Sequence, residues 1–197
     1  IAVVLLVYLG WVLLLYTQQR RMLFPGVDLP APAAIPVLPD EGVERIRLPF
    51  SAGTAEALFF PAAGSVPEAP ALVFAHGNGE LISDNLSIAR QLADLGIAVL
   101  LVEYPGYGRS DGTPSRRAIA EVFVSGFDWL RAREQVDQGR IGGFGCSLGA
   151  GAITDLARER PLKALILQSP FLSVAHLARG YLVPGLLVRD RFDNLEA

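Results

Sequence analysis

The feature of this sequence that most constrains its fold is a series of short, nearly all-apolar segments separated by longer amphipathic ones. The strand-like segments are 43–48, 55–60, 71–75, 97–103, 140–144 and 164–168. Between the fourth and fifth segments, apolar residues recur at spacings of three and four, as an amphipathic helix requires: Ile119, Val122, Phe123, Phe127 and Leu130. Ile88, Leu92 and Leu95 repeat that pattern earlier in the chain. Strands without a polar face are typical of a mostly parallel sheet covered by helices on both sides, so the sequence predicts an α/β fold.

The chain opens on an apolar run, 1–16, without a charged residue. A helix of that length spans roughly 24 Å, a little less than the ~30 Å hydrocarbon core of a bilayer, and residues lost before Ile1 would complete it. Three aromatic side chains of the run suit a membrane interface: Tyr8, Trp11 and Tyr16. We therefore predict a single transmembrane anchor over 1–19, and Arg20 and Arg21 favour a cytoplasmic location for the domain that follows. A signal peptide and a buried core helix are the alternatives.

A proline-rich segment, 20–42, follows the apolar run. Its prolines fix the backbone and remove hydrogen-bond donors: Pro25, Pro30, Pro32, Pro36 and Pro39. Such a composition predicts a semi-rigid linker. The folded domain is expected to occupy 43–197.

Composition excludes several classes of function. The chain carries 17 Lys+Arg against 20 Asp+Glu, a net charge of −3, and has no basic stripe, so we expect no nucleic-acid partner. One cysteine, Cys146, and two distant histidines, His76 and His176, leave no ligand cluster for zinc. We expect neither a metal nor a cofactor.

The fifth strand-like segment runs into a glycine-rich turn with the pattern G-x-S-x-G at Gly145, Ser147 and Gly149. A serine exposed at a strand-to-helix reversal is strained, and the helix passes so close to the strand that the positions two before and two after it carry no side chain. We therefore predict that Ser147 is a nucleophile. Two other interpretations stay open. One is a loose phosphate-binding glycine pattern, although Gln168 stands where an acidic residue would be needed; the other is glycines that only permit close helix packing.

A second loop, His76-Gly77-Asn78-Gly79, follows the third strand-like segment. Acyl transfer places negative charge on the former carbonyl oxygen, and two N–H donors must meet it. The residue after the nucleophile, Leu148, and a residue of this loop, Asn78, are the expected donors, each contributing about 3 kcal/mol to lowering the barrier. We interpret His76 as an orienting residue rather than a catalytic base, with Gly77 as loop support.

The third loop, 103–110, contains aromatic residues that line a pocket mouth or cover the sheet edge. With it, the order HGNG, EYPGYGRSDG, GFGCSLGAG and QSPF resembles the α/β-hydrolase superfamily, in particular its membrane-anchored serine-aminopeptidase-like and bud-emergence-like serine hydrolases. The resemblance covers 43 to the end of the chain. It implies Ser147 as nucleophile, Leu148 and Asn78 as oxyanion donors, and Tyr107 near the mouth of the active site.

The resemblance also implies a catalytic Asp and a later His that this chain does not supply. A parallel crossover takes about a dozen residues and a βαβ unit about thirty, so two further units do not fit after Gln168. His176 falls in a helical pattern over 171–182. The late acidic residues are expected to be surface charges: Asp155, Asp190 and Asp193.

We therefore expect the N-terminal part of a membrane-tethered serine hydrolase that cleaves an ester, thioester or amide through an acyl-serine intermediate, with this segment alone inactive. The anchor and the apolar segment 181–188 suit acylated or lipid-linked substrates, although any small-molecule substrate remains open. The alternative is a catalytically silent hydrolase fold that serves as a binding module at the membrane.

Overall fold

The computed structural model describes residues 1–31, 42–64 and 67–194. Six strands form one sheet: β1 Glu44–Phe50, β2 Gly53–Phe60, β3 Ala69–Ala75, β4 Ala98–Val102, β5 Val136–Cys146 and β6 Leu165–Gln168. The helices are α1 Ala2–Leu23, α2 Leu86–Asp94, α3 Arg116–Arg131, α4 Leu148–Glu159 and α5 Val174–Gly180. Three short 3₁₀ turns complete the described elements: Pro25–Asp28, Ile82–Asn85 and Gly185–Leu187.

The sheet order is β1-β2-β4-β3-β5-β6. β1 pairs antiparallel with β2 and β2 with β4, whereas β3 pairs parallel with β4 and β5, and β5 with β6. The predicted α/β fold with a mostly parallel sheet is confirmed. The carboxyl ends of β3, β4 and β5 meet at one edge, where an open parallel sheet places its ligand-binding loops.

The two faces of the sheet carry separate apolar clusters, as expected for strands without a polar face. β3 contributes to both, because Val73 packs in the larger cluster with α3 and α4, while Phe74 packs in the smaller one with α2. Phe74 also stacks on Phe144 with ring centroids 4.5 Å apart. Alternate side chains of one strand therefore reach opposite sides.

Two helix predictions have different outcomes. All five predicted core residues of α3 are buried, and Ser115 caps the helix by accepting a hydrogen bond from Ala118 N (3.1 Å). The prediction that Leu95 continues the apolar face of the earlier helix is wrong. α2 ends at Asp94, and it buries Ala89 and Ala93 while Leu95 is 77% exposed.

The N-terminal helix is longer than the predicted anchor. α1 continues without a break to Leu23, and Phe24 after it is 2% exposed and belongs to the larger core cluster. The 3₁₀ turn Pro25–Asp28 follows directly, so this part of the predicted linker is packed on the domain. The other prolines of the linker prediction, apart from Pro30, lie outside the described residues.

After β6 the chain folds back on the domain. The predicted helix over 171–182 is shorter, α5 covering Val174–Gly180. Ser173 and Asp193 form an isolated antiparallel bridge, and Phe192 is fully buried beside Gly151 of α4. β6 is an edge strand of the described sheet, and its Leu165 is 43% exposed.

Candidate active site

Ser147 lies at the reversal between β5 and α4 in a conformation that L-residues rarely adopt, with φ 50° and ψ −109°. Its N–H donates to the carbonyl of Gln168 at the end of β6 (2.9 Å), and its own carbonyl accepts from Ala150 N (3.0 Å). Such a conformation costs about 1–3 kcal/mol and persists only where the surrounding structure imposes it. The residue is partly exposed, so it lies at the surface of the site rather than in the core.

The two glycines of the G-x-S-x-G pattern allow a contact that no side chain would permit. A Cβ added to Gly145 would lie 2.3 Å from the carbonyl oxygen of Gly149. A Cβ added to Gly149 would lie 2.1 Å from the carbonyl oxygen of Ala75. Both neighbours are backbone atoms, which cannot swing away as a side chain does. The close approach brings the N-terminus of α4 against the end of β3.

Leu148 is the first residue of α4, so its N–H has no acceptor within the helix. The aligned peptide dipoles add partial positive charge at that helix end. A Cβ on Gly149 would also lie 2.8 Å from the carbonyl oxygen of His76, so the loop after β3 lies directly beside this end. The fold thus brings together the serine turn and the HGNG loop, which the sequence places about 70 residues apart.

Within the HGNG loop, the N–H of Gly77 is already engaged. It donates to Glu80 Oε2 (3.1 Å), and the same oxygen accepts from Asn85 Nδ2 (3.1 Å). Gly77 is therefore a support of the loop and no donor to a substrate.

Asn78 is held by the segment that follows α1. Its carbonyl accepts from Gly26 N (3.2 Å) and from the hydroxyl of Tyr107 (2.9 Å), and its Nδ2 donates to the carbonyl of Leu23 (3.3 Å). Tyr107 is fully buried, and its ring fills the space beside Gly26. Burial raises the pKa of its hydroxyl far above the usual range, so it stays a neutral donor. Tyr107 thus lies beneath the loop and holds Asn78 in place.

His76 forms a buried pair with Glu103, a residue that the sequence did not single out. His76 Nε2 lies 2.7 Å from Glu103 Oε1, and Nδ1 lies 2.8 Å from the carbonyl of Gly77. Burial alone would lower the pKa of His76, but the charge and hydrogen bond of Glu103 outweigh it and the pKa is raised. Because a carboxylate and a carbonyl both accept, this arrangement favours a ring that is protonated on both nitrogens. A cation of this kind cannot accept the serine proton.

The second carboxylate oxygen of Glu103 extends the network into the next element, accepting from Ile82 N (3.1 Å). Tyr104, fully buried, donates its hydroxyl to the carbonyl of His76. Together these bonds tie the ends of β3 and β4 to each other. The one sequence signal for Glu103 was a charged residue directly after an all-apolar strand.

His176 lies on α5 and is exposed. The residues that α5 turns toward Asn78 include Val174, Leu177 and Ala178. These three residues form one stripe along α5. Since an α-helix turns about 100° per residue, His176 points roughly 150° away from the centre of this stripe. His176 is therefore directed away from the cavity.

The expectation that Asp155 and Asp190 are surface charges is wrong. Asp155 is 6% exposed and accepts two bonds of 2.7 Å from Arg116 and one of 2.6 Å from Arg158. Asp190 is 5% exposed and accepts from Arg20 Nε (2.9 Å) and from Arg116 N (2.8 Å). Both carboxylates join separate parts of the chain through arginine, and neither contacts the serine turn in these bonds.

An apolar cavity of about 260 Å³ lies next to this site, between α1 and α5. Asn78 is among its lining residues, so the cavity reaches the HGNG loop.

Cys146 next to the serine is partly buried, and burial raises the pKa of its thiol. A neutral thiol is a weaker nucleophile than a thiolate.

Comparison with known proteins gives a consistent result. Residues 67–189 match the family described as Serine aminopeptidase, S33. An uncharacterized protein of Mycobacterium tuberculosis is 36% identical over 200 residues, which cover 100% of this chain and 70% of the relative. The lysophosphatidylserine lipase ABHD12 of Gallus gallus is 36% identical over 119 residues, 57% of this chain and 31% of that protein. An α/β-hydrolase structure from Vibrio vulnificus superposes with a TM-score of 0.72 at 21% identity, covering 89% of this chain and 68% of that one.

Proposed function

This chain belongs to the α/β-hydrolase family described as Serine aminopeptidase, S33, and on that premise we propose that it carries the nucleophile and oxyanion hole of a membrane-tethered serine hydrolase. The reaction class is acyl transfer from an ester, thioester or amide to water. The single observation that carries the proposal is the backbone of Ser147, forced to φ 50° at the turn between β5 and α4. Strain of this kind clusters at active sites, and at Ser147 it coincides with the close approach of α4 to the end of β3.

In the proposed reaction, the hydroxyl of Ser147 attacks the substrate carbonyl and its proton passes to a general base. The N–H groups of Leu148 and Asn78 donate to the oxyanion that forms. Collapse of the intermediate expels the alcohol, thiol or amine and leaves an acyl-serine ester, which water then hydrolyses. The first N–H of α4 has no acceptor within the helix, and three hydrogen bonds hold Asn78 in place. Both features support this assignment, because they position the two proposed donors before substrate arrives.

The general base is proposed to come from outside the residues described. His76 is engaged at both ring nitrogens, and His176 points away from the stripe of α5 that lines the cavity. The exposed outer edge of β6 suits pairing with a further strand. Since an isolated serine hydroxyl is a poor nucleophile, we expect the 197-residue chain by itself to be inactive.

Membrane tethering is proposed from α1. Its 22 residues span about 33 Å, enough for the hydrocarbon core of a bilayer. α1 has the length and composition of a membrane span, and the helix has no buried residue.

The test is labelling of the complete protein in detergent with a fluorophosphonate probe, which reacts with activated serines. We expect Ser147→Ala to abolish labelling. Ser169→Ala is the matched control, because Ser169 also follows a strand with φ 50° but the next helix, α5, begins only at Val174, and the variant should label like the wild type. The 197-residue chain should label weakly.

Absence of labelling in the complete wild-type protein would refute the hydrolase proposal. It would instead favour the catalytically silent binding module, since the same fold serves many functions. Strong labelling of the isolated 197-residue chain would refute only the proposal that its base lies elsewhere.

A further inference from the structure

Helix α1 packs against the domain along one stripe. The stripe residues are partly buried and follow helical spacing: Val12, Leu15, Tyr16, Gln19 and Leu23. Gln19 binds the segment after α5 twice, through Nε2 to the carbonyl of Leu187 (3.3 Å) and through Oε1 to Arg189 N (2.9 Å). Because Phe24 then enters the core, α1 has a fixed position relative to the site.

The apolar cavity lies between this stripe and α5. Its walls include Leu15, Met22 and Leu23 from α1 and Val174, Leu177 and Ala178 from α5. Among the described residues that line it, none is charged. Its two amides, Gln19 and Asn78, are both engaged in hydrogen bonds. At about 260 Å³ it lies just below the ~300–1,000 Å³ range of small-ligand sites, and its chemistry suits a hydrocarbon chain.

The turn after α5 lies alongside the middle of α1. Trp11 Nε1 donates to the carbonyl of Tyr181 (2.9 Å), and the hydroxyl of Tyr8 donates to the carbonyl of Leu182 (3.1 Å). Trp11 and Tyr8 precede Arg20 by 9 and 12 residues, so they lie roughly 14–18 Å along the helix from that charge. The two hydrogen bonds are therefore made by the apolar part of α1. A carbonyl without a partner in hydrocarbon costs several kcal/mol, and here both carbonyls have one.

The surface of α5 and its turn beside the cavity is apolar and open, whereas His176 and Arg179 are exposed elsewhere on α5. Leu177 is 49% exposed, Tyr181 56%, Leu182 70% and Leu186 75%. This surface adjoins α1, whose own apolar side chains are exposed along the same length. A patch of this kind indicates contact with an apolar environment. If α1 spans the bilayer, this surface lies in it.

We propose that the cavity is an acyl-chain site that opens sideways into the bilayer, with the membrane helix α1 as one of its walls. The ligand is the hydrocarbon chain of a membrane lipid, which enters between α1 and α5 and presents its ester carbonyl at Asn78 and Ser147. The proposal rests on the proposed function for its chemistry. The location of the site rests on the cavity alone.

The test compares short and long acyl esters on the complete protein in nanodiscs. Ala178→Phe places a ring in the cavity, whereas His176→Phe adds the same ring on the opposite side of α5. We expect Ala178→Phe to lower kcat/KM for p-nitrophenyl dodecanoate at least about tenfold and for the acetate less than about twofold, as loss of an apolar subsite does. The His176→Phe variant should change neither.

A second pair of variants tests the same cavity in case Ala178→Phe does not fold. Leu187 lines the cavity and its neighbour Leu186 is exposed outside it, so Leu187→Trp should act like Ala178→Phe and Leu186→Trp should not. Equal loss on both esters in both cavity variants would overturn the proposal.

Chain binding is measured independently of turnover, by the fluorescence of cis-parinaric acid on the complete Ser147→Ala protein. We expect binding that Ala178→Phe abolishes and His176→Phe retains. If neither ester is hydrolysed but this pattern holds, the site stands and the proposed function fails. Binding that is unchanged in Ala178→Phe would overturn the site.

Discussion

Gly149→Ala tests the geometry on which the candidate site depends. The added Cβ would lie 2.1 Å from the carbonyl oxygen of Ala75. Carbon and oxygen normally approach no closer than about 3.3 Å, so α4 and the end of β3 must separate by about 1.2 Å. Overpacking of this order costs about 1–3 kcal/mol, and we expect the upper end of that range because the atom it meets is backbone.

The measurement is urea unfolding of the complete protein in detergent, followed by circular dichroism, with the midpoint compared at constant slope. Gly180→Ala is the matched control. Gly180 is the last residue of α5, has nothing within 4 Å of an added Cβ, and should gain up to about 1 kcal/mol from better helix propensity. Fluorophosphonate labelling of Gly149→Ala should also fall, because the helix N-terminus moves. A Gly149→Ala protein as stable as Gly180→Ala would refute the close packing at the turn.

Three further predictions follow from individual contacts. Glu103→Gln should cost about 3–5 kcal/mol, because it leaves the buried His76 without its counter-charge. Since the pKa of His76 is raised, the stabilisation by the pair is full below about pH 6.5 and is lost as pH rises through the raised pKa, so urea midpoints should fall with rising pH in the wild type more than in the variant. Arg116→Ala should cost about 1.5–3 kcal/mol through its two bonds to a buried carboxylate, and Arg117→Ala, which breaks an exposed pair, far less; equal effects would contradict this. Ser147→Gly should be more stable than Ser147→Ala by about 1 kcal/mol, since both lack the hydroxyl and only glycine accepts φ 50° freely; the reverse order in thermal unfolding would show that the turn is unstrained.

Local patterns in the sequence were sufficient for much of the fold. The strand-like segments and the apolar stripe of α3 report burial directly, because a side chain on the core side must be apolar whatever the rest of the chain does. The G-x-S-x-G turn is also local, since the strand, the serine and the helix that constrain one another lie within a few residues. Leu95 shows the limit of the method, because a helix end depends on the turn that follows.

Contacts between distant loops were decided only by the tertiary structure. No spacing along the chain shows that Glu103 at the end of one strand meets His76 at the end of another, or that Asp155 and Asp190 are buried against arginines. The apolar character of α1 is evident from its residues alone, but its position beside Asn78 depends on how α5 and the tail pack. Apolar periodicity is a property of one segment, whereas a pair of charges or a cavity wall requires two segments to meet, and that meeting is settled by the packing of the whole domain.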